Sequence, residues 1–187
     1  ADRAGADRIQ RFEREVQLTC QLNHPNTIVI YDYGRTPEGI FFYAMEYLDG
    51  INLDSLVTRY GPLPGGRVIH VLRKICGSLA EAHEISLVHR DTKPANIVLG
   101  RRGGESDVVK VLDFGLVKAV DARKESTLTS AGSMIGTPLY MPPEAVENPE
   151  RVDARSDLYS VAALGYFLLT GAPPFEGKSV IEICMHH

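Results

Sequence analysis

The sequence has few cysteines, no long apolar run and no basic block, and each scarcity removes a class of function. Cys20, Cys76 and Cys184 stand far apart and form no C-x-x-C pair, so neither a disulfide framework nor a zinc knuckle is implied. They read as core or surface thiols in a reducing compartment. The longest apolar stretch, Leu158 to Leu169, is interrupted by Ser160 and Gly165. It is too short to cross a hydrocarbon core of about 30 Å and is expected to be a buried helix. With 20 Lys+Arg against 24 Asp+Glu and a net charge of -4, the chain lacks the electrostatic footprint of a nucleic-acid or anionic-membrane binder. No secretory signal opens it, and it contains neither an internal repeat nor a low-complexity tract. It also lacks an initiator Met, starting on Ala1-Asp2-Arg3 and stopping in mid-pattern at Met185-His186-His187, so a segment of a longer protein is expected. A cytoplasmic location is expected for this segment, with any membrane anchor outside it.

What is present is the makeup of a folded domain. A hydrophobic share of 44% with balanced charge over 187 residues supports one core-bearing domain or a little more. From Asp7 to Leu22, Ile9, Phe12, Val16 and Cys20 recur at helical spacing, with Glu15 flanking the stripe. Asn23-His24-Pro25-Asn26 breaks that helix. Residues 27–33 and 40–47 then read as two antiparallel strands around Gly34 and Pro37-Glu38-Gly39. Asp49-Gly50 is a turn signal. After Gly61-Pro62-Leu63-Pro64-Gly65-Gly66, residues Val68, Val71, Leu72, Ile75, Leu79 and Ala82 mark a second, longer helix. Residues 96–99 and 108–112 are short β-rich runs on either side of a turn at Gly100-Arg-Arg-Gly-Gly104. Residues 118–137 are polar, rich in Ser and Thr, and read as a long functional loop. Ser156 to Leu169 is a strongly apolar helix stopped by Gly171-Ala-Pro-Pro174. Helix, hairpin, helix, short strands, loop and helix in that order imply an α+β class and not regular βαβ alternation.

The chemistry is concentrated in His89-Arg90-Asp91-Thr92-Lys93-Pro94-Ala95-Asn96 and, just after a strand, Asp113-Phe114-Gly115. These runs resemble the catalytic loop H-R-D-x-x-x-x-N and the D-F-G metal site of protein kinases. Met141-Pro142-Pro143-Glu144 resembles the A-P-E segment with Pro142 in place of Ala, and Asp157 matches the acidic residue that opens the large central helix. The Asp91-x-Lys93 spacing is similar to the serine/threonine branch, most of all its bacterial eukaryotic-like members.

The resemblance implies a partial two-lobed protein-kinase-like fold, with residues 1–47 ending the small lobe and 48–187 forming most of the large lobe without its last helices. It implies ATP and Mg²⁺ as cofactors and a protein substrate with a Ser or Thr acceptor. Asp91 would orient the acceptor hydroxyl and take its proton, and Lys93 would face the moving phosphoryl group. Asn96 and Asp113 would supply oxygen ligands to Mg²⁺. Met45 would be the gatekeeper, backbone groups of Glu46 and Leu48 would face the adenine edge, and Val98 would lie beneath the ring. Gly136-Thr137-Pro138 resembles the substrate-docking segment, with Thr137 able to hydrogen-bond Asp91 and Lys93. Glu15 resembles the glutamate that pairs with a small-lobe lysine, but that lysine and the glycine-rich loop are both missing from this sequence.

Each residue also has an ordinary reading. His-Arg-Asp alone is often a solvated turn, and Asp-Phe-Gly alone is a common strand-ending turn. Glu15 also reads as a surface helix charge, and Met45, Glu46, Leu48 and Val98 equally as ordinary strand residues with no ligand. Ser126, Thr127, Thr129, Ser130 and Ser133 crowd the loop, where Thr129 and then Thr127 are the leading candidates for a phosphate captured by Arg90. Three rivals remain open: a pseudokinase or other non-catalytic interaction module, a small-molecule phosphotransferase of related fold, and a purely structural fragment.

Overall fold

In a computed structural model of the chain, residues 13–37, 40–114 and 138–187 are described. Helix α1 occupies residues 13–19, and its single fully buried apolar residue, Val16, packs with Ile30, Tyr33, Phe41 and Tyr43 in a small apolar cluster. Strands β1 (Ile30–Arg35) and β2 (Phe41–Met45) pair antiparallel beneath it, with Ile30 opposite Met45 and Tyr33 opposite Tyr43. The first strand starts later than the expected Thr27. The backbone of the preceding residues is committed elsewhere: Val111 donates to Asn26 O at 2.7 Å and accepts from the Ile28 N–H at 3.0 Å. The second strand stops at Met45, two residues short of expectation, and Tyr47 is 91% exposed.

A second sheet orders β3 (Gly50–Asn52), β4 (Ile97–Arg102) and β5 (Glu105–Val111), all antiparallel. Gly50, expected in a turn, instead pairs with Gly100, and a Cβ there would stand 2.5 Å from Leu99 O, so only glycine lets the two strands close. The expected five-residue turn at 100–104 contracts to Gly103-Gly104, whose φ values of 61° and 87° suit a two-residue hairpin. Asn96 lies before β4, in a 3₁₀ turn over Pro94–Asn96.

Helix α2 (Leu53–Tyr60) was not foreseen, because eight residues offer too short a window for periodicity. Asn52 caps it by accepting the Ser55 N–H at 2.8 Å, and Gly61 ends it at φ 81°. Helix α3 (Gly65–Glu84) buries Val68, Val71, Ile75, Leu79 and Ala82, the stripe the sequence marks. Two further helices follow: the short α4 (Pro143–Glu147) and the long α5 (Ala154–Thr170), which carries Asp157 in its first turn. At the start of α5, Asp153 accepts the Arg155 N–H at 2.8 Å while Ser156 Oγ accepts the Asp153 N–H at 3.3 Å. Gly171, at φ 80°, closes it by donating to Phe167 O at 2.8 Å. Helix α6 (Val180–His186) follows.

The main core lies between α2, α3, α5 and the β4–β5 hairpin, where Leu53, Val71, Ile75, Ile97, Val111, Phe114, Leu164 and Leu168 share one cluster. The expectation that Leu158–Leu169 is buried holds for one face only: Leu164 and Leu168 are fully buried, whereas Leu158, Tyr166 and Leu169 are about half exposed. The segment 23–28 is pinned to α3, since Glu81 accepts the N–H groups of Asn23 and His24 and Thr27 Oγ1 lies 2.7 Å from Ser78 Oγ. No described helix is long and apolar enough to cross a membrane.

Candidate active site

The loop between α3 and β4 is held from below by one carboxylate. Asp157, 1% exposed near the start of α5, accepts the backbone N–H groups of His89 (2.8 Å) and Arg90 (2.9 Å), and its Oδ2 lies 2.8 Å from His83 Nε2. Arg90 sits at φ 64°, a left-handed conformation that an Arg adopts only when its surroundings hold it there. His89 is fully buried and bridges two parts of the site. Its Nε2 donates to Leu112 O at 2.8 Å, its Nδ1 accepts the Asp91 N–H at 3.3 Å, and its ring lies 4.6 Å from that of Phe114. Burial pushes the His89 pKa below the ordinary imidazole range, against the pull of the Asp157, Asp91 and Asp113 carboxylates. It is a packed structural histidine, and its neighbour Phe114 is a fully buried core aromatic.

Asp91, Lys93 and Asn96 converge. Lys93 Nζ lies 2.7 Å from Asp91 Oδ2, and Asn96 Nδ2 donates both to that oxygen (2.9 Å) and to the Asp91 carbonyl (2.8 Å). Committing the amide nitrogen to Asp91 turns the Asn96 carbonyl oxygen away from it. The Leu112 N–H donates to Asn96 O at 2.9 Å, tying this turn to the residue before Asp113. Asp113 takes φ 53°, and its Oδ1 accepts the Tyr43 hydroxyl at 3.2 Å. The Tyr43 pKa is pushed up to about 12 by burial first and by the Asp113 charge second. Neither Tyr43 nor His83 was picked out from the sequence. Their partners lie 70 and 74 residues away, so no local pattern marks them.

The donor set fits Mg²⁺. Among the described residues no group of three His, Cys, Asp or Glu side chains stands together. One carboxylate and one amide oxygen suit a hard cation that keeps water and phosphate in its shell.

Of the residues expected around adenine, Glu46, Leu48 and Val98 line one cavity of ≈ 250 Å³, with Tyr31, Arg102 and Lys110 also in its wall. Met45 is outside that lining and 45% exposed. The Glu46 side chain turns inward to Lys110, Val29 and Arg102. Arg90 reaches back to α1, with Nη1 3.2 Å from Glu15 Oε1. Glu144, near the start of α4, accepts the Ser156 hydroxyl. Thr137, Thr127, Thr129, Gly136 and Gly115 lie outside the described residues.

Comparison with known proteins gives one family. A family model described as protein kinase domain matches residues 2–187. The chain is 42% identical over 180 residues to the serine/threonine-protein kinase pkn3 of Myxococcus xanthus, covering 96% of this chain and 33% of that protein. It is 40% identical to the serine/threonine-protein kinase PknB of Mycobacterium tuberculosis, covering 95% and 28%. It thus spans about a third of the length of these curated relatives. Among solved structures, the kinase domain of Mycobacterium tuberculosis PknI aligns with a TM-score of 0.70 at 29% identity, over 95% of this chain and 62% of that one. Rad53 1-466 in complex with AMP-PNP aligns with a TM-score of 0.74 at 25% identity, over 93% and 41%. The fold is a partial protein kinase fold of mixed helix and sheet.

Proposed function

Because the chain belongs to the protein kinase domain family, we propose that it is the catalytic portion of a serine/threonine kinase that moves the γ-phosphoryl group of ATP to Ser or Thr hydroxyls of protein substrates. The observation that carries this reading is the convergence of Lys93 and Asn96 on the Asp91 carboxylate, on a loop whose backbone is clamped by Asp157. Phosphoryl transfer asks little covalent chemistry of a protein; it asks for alignment and for charge where charge develops. The names of the bacterial relatives support the Ser/Thr class, and the AMP-PNP bound to Rad53 supports a nucleotide between residues 46–48, just past β2, and Val98.

In this mechanism Asp91 accepts the proton of the acceptor hydroxyl as its oxygen attacks the γ-phosphorus and the bond to the bridging oxygen of ADP breaks. Lys93, two residues on, offsets negative charge on the group in transit. Asn96 and Asp113 would hold Mg²⁺, which when bound neutralises phosphate charge. Tyr43 steadies the Asp113 carboxylate by donating its hydroxyl to Oδ1. Thr137 would bond Asp91 and Lys93 from the docking segment. Retention of Asp91, Lys93, Asn96 and Asp113 speaks against a pseudokinase, and Arg90 with the segment 136–144 speaks against a small-molecule phosphotransferase.

The test is Asp113→Asn in the full-length protein, assayed with Mg-ATP and a Ser/Thr peptide. The change removes a metal-binding charge at nearly constant volume, so transfer should be abolished with the fold intact. Wild-type turnover by this variant would remove Asp113 from the metal site.

A further inference from the structure

A buried ion pair in the wall of the cavity that Leu48 and Val98 also line has no part in the chemistry above. Lys110, one residue from the end of β5, is 3% exposed, and Glu46, just beyond β2, is 8% exposed. Lys110 Nζ contacts Glu46 Oε1 and donates to Thr27 O at 3.0 Å. The same carboxylate accepts the Val29 N–H at 3.0 Å and lies 3.3 Å from Arg102 Nη1. The backbone N–H of Glu46 is also committed, donating to Val29 O at 2.9 Å. With its amide and its side chain both bound inward, the remaining polar group of Glu46 is its carbonyl.

Burying a lysine and a glutamate costs several kcal/mol per ion before their attraction is counted, and apolar residues of similar volume commonly serve stability as well or better. Stability alone therefore does not account for the pair. Its geometry does: it fastens the segment after β2 to the strand that leads, three residues later, to Asp113. The two residues that follow Lys110 have their own anchors in the Asn26, Ile28 and Asn96 backbone bonds to Val111 and Leu112. Loss of the pair would therefore loosen residues 46–48, left with the ties of Glu46 to Val29 and Arg102, and keep Asp113 in place.

We propose that Lys110 and Glu46 form a positioning pair that fixes the peptide of Glu46–Leu48 for the adenine of ATP. The inference rests on the kinase reading and deepens it, since it assigns nucleotide affinity to two side chains that need not touch the nucleotide.

The experiment compares Lys110→Met, the double variant Lys110→Met/Glu46→Gln and wild type, all as full-length protein. The double variant removes both buried charges and leaves only the exposed Arg102 without this partner, so no unpaired buried ion remains to unfold the domain. ATP and ADP dissociation constants, KM for ATP, KM for peptide, kcat and melting temperature are measured for each. The double variant should melt near wild type, yet its KM for ATP and its ATP dissociation constant should rise about 10- to 100-fold, the scale of an ångström-level misplacement. The peptide KM and kcat at saturating ATP should hold. Lys110→Arg, which keeps the charge, should restore most of the affinity. A folded double variant with wild-type ATP affinity overturns this inference alone. A loss confined to melting temperature also overturns it, since that is a structural role. A wild-type protein that binds no ATP overturns the kinase reading, and this inference with it.

Discussion

The Asp157 carboxylate accepts the backbone N–H groups of both His89 and Arg90 across 68 and 67 residues of sequence, at 2.8 and 2.9 Å. The orientation of Asp91, one residue further on, follows from that clamp. Arg90 is in a left-handed conformation, and without a partner for its N–H the loop would relax toward ordinary backbone angles.

Replacing Asp157 tests the clamp. Asp157→Ala leaves the His89 and Arg90 N–H groups and His83 without their acceptor, and unsatisfied buried donors cost about 1–3 kcal/mol each. A loss of about 2–5 kcal/mol is expected in urea unfolding, accompanied by loss of phosphoryl transfer. Asp157→Asn should fall between, because its amide nitrogen must face a donor. A stability change for Asp157→Ala within about 0.5 kcal/mol of wild type would refute the clamp.

His89 predicts a pH dependence of stability. Burial holds it neutral, opposed by Asp157, Asp91 and Asp113, so its folded pKa lies below its unfolded value. The unfolded state therefore binds the proton more readily. The contribution is complete above the unfolded value of about 6.5 and is lost as pH falls below it. Unfolding free energy measured from pH 7.5 down to 5.5 should decline in wild type and decline less steeply in His89→Gln. Equal slopes would show that other groups set the acid limit.

Loop phosphorylation is the third expectation. In the structure Arg90 pairs with Glu15, 3.2 Å away, through a guanidinium that is nearly half exposed and so accessible to a stronger anion. A phosphate on Thr129, or next on Thr127, carries close to two negative charges and would compete for it. Thr129→Ala in the full-length protein should lower activity, and mass spectrometry of active protein should find phosphate between Lys118 and Thr137. Unmodified active protein would rule the capture out.

The 187-residue chain alone is expected to lack kinase activity although its catalytic loop is assembled. Its sequence contains no glycine-rich loop and no strand lysine before α1, so nothing covers the triphosphate or clamps its α and β groups. The half-exposed Leu158, Tyr166 and Leu169 add an apolar surface that favours association. An assay of this chain with Mg-ATP and a Ser/Thr peptide decides the matter: turnover above about 1 s⁻¹ would show the missing groups to be dispensable.

The sequence by itself determined whatever is local. The stripe of α3, the hairpin of β1 and β2, the glycine turn before β5 and the spacing of Asp91, Lys93 and Asn96 are all carried within short windows, because periodicity, turn chemistry and a five-residue hydrogen-bonded turn are short-range effects. The family resemblance was legible for the same reason, since its motifs are contiguous runs. Tertiary structure alone decided the start of β1, whose upstream backbone is captured by Val111, and the strand at Gly50, which exists only because Gly100 lies against it. It also decided the Tyr43 contact to Asp113, the His83 and Asp157 clamp, and the burial of Lys110 against Glu46. In each case the partners lie far apart in the sequence, by 64 residues for Lys110 and Glu46, 70 for Tyr43 and Asp113 and 74 for His83 and Asp157. Which charge meets which is fixed by how the two sheets and α5 pack around one core, and no window of sequence holds that information.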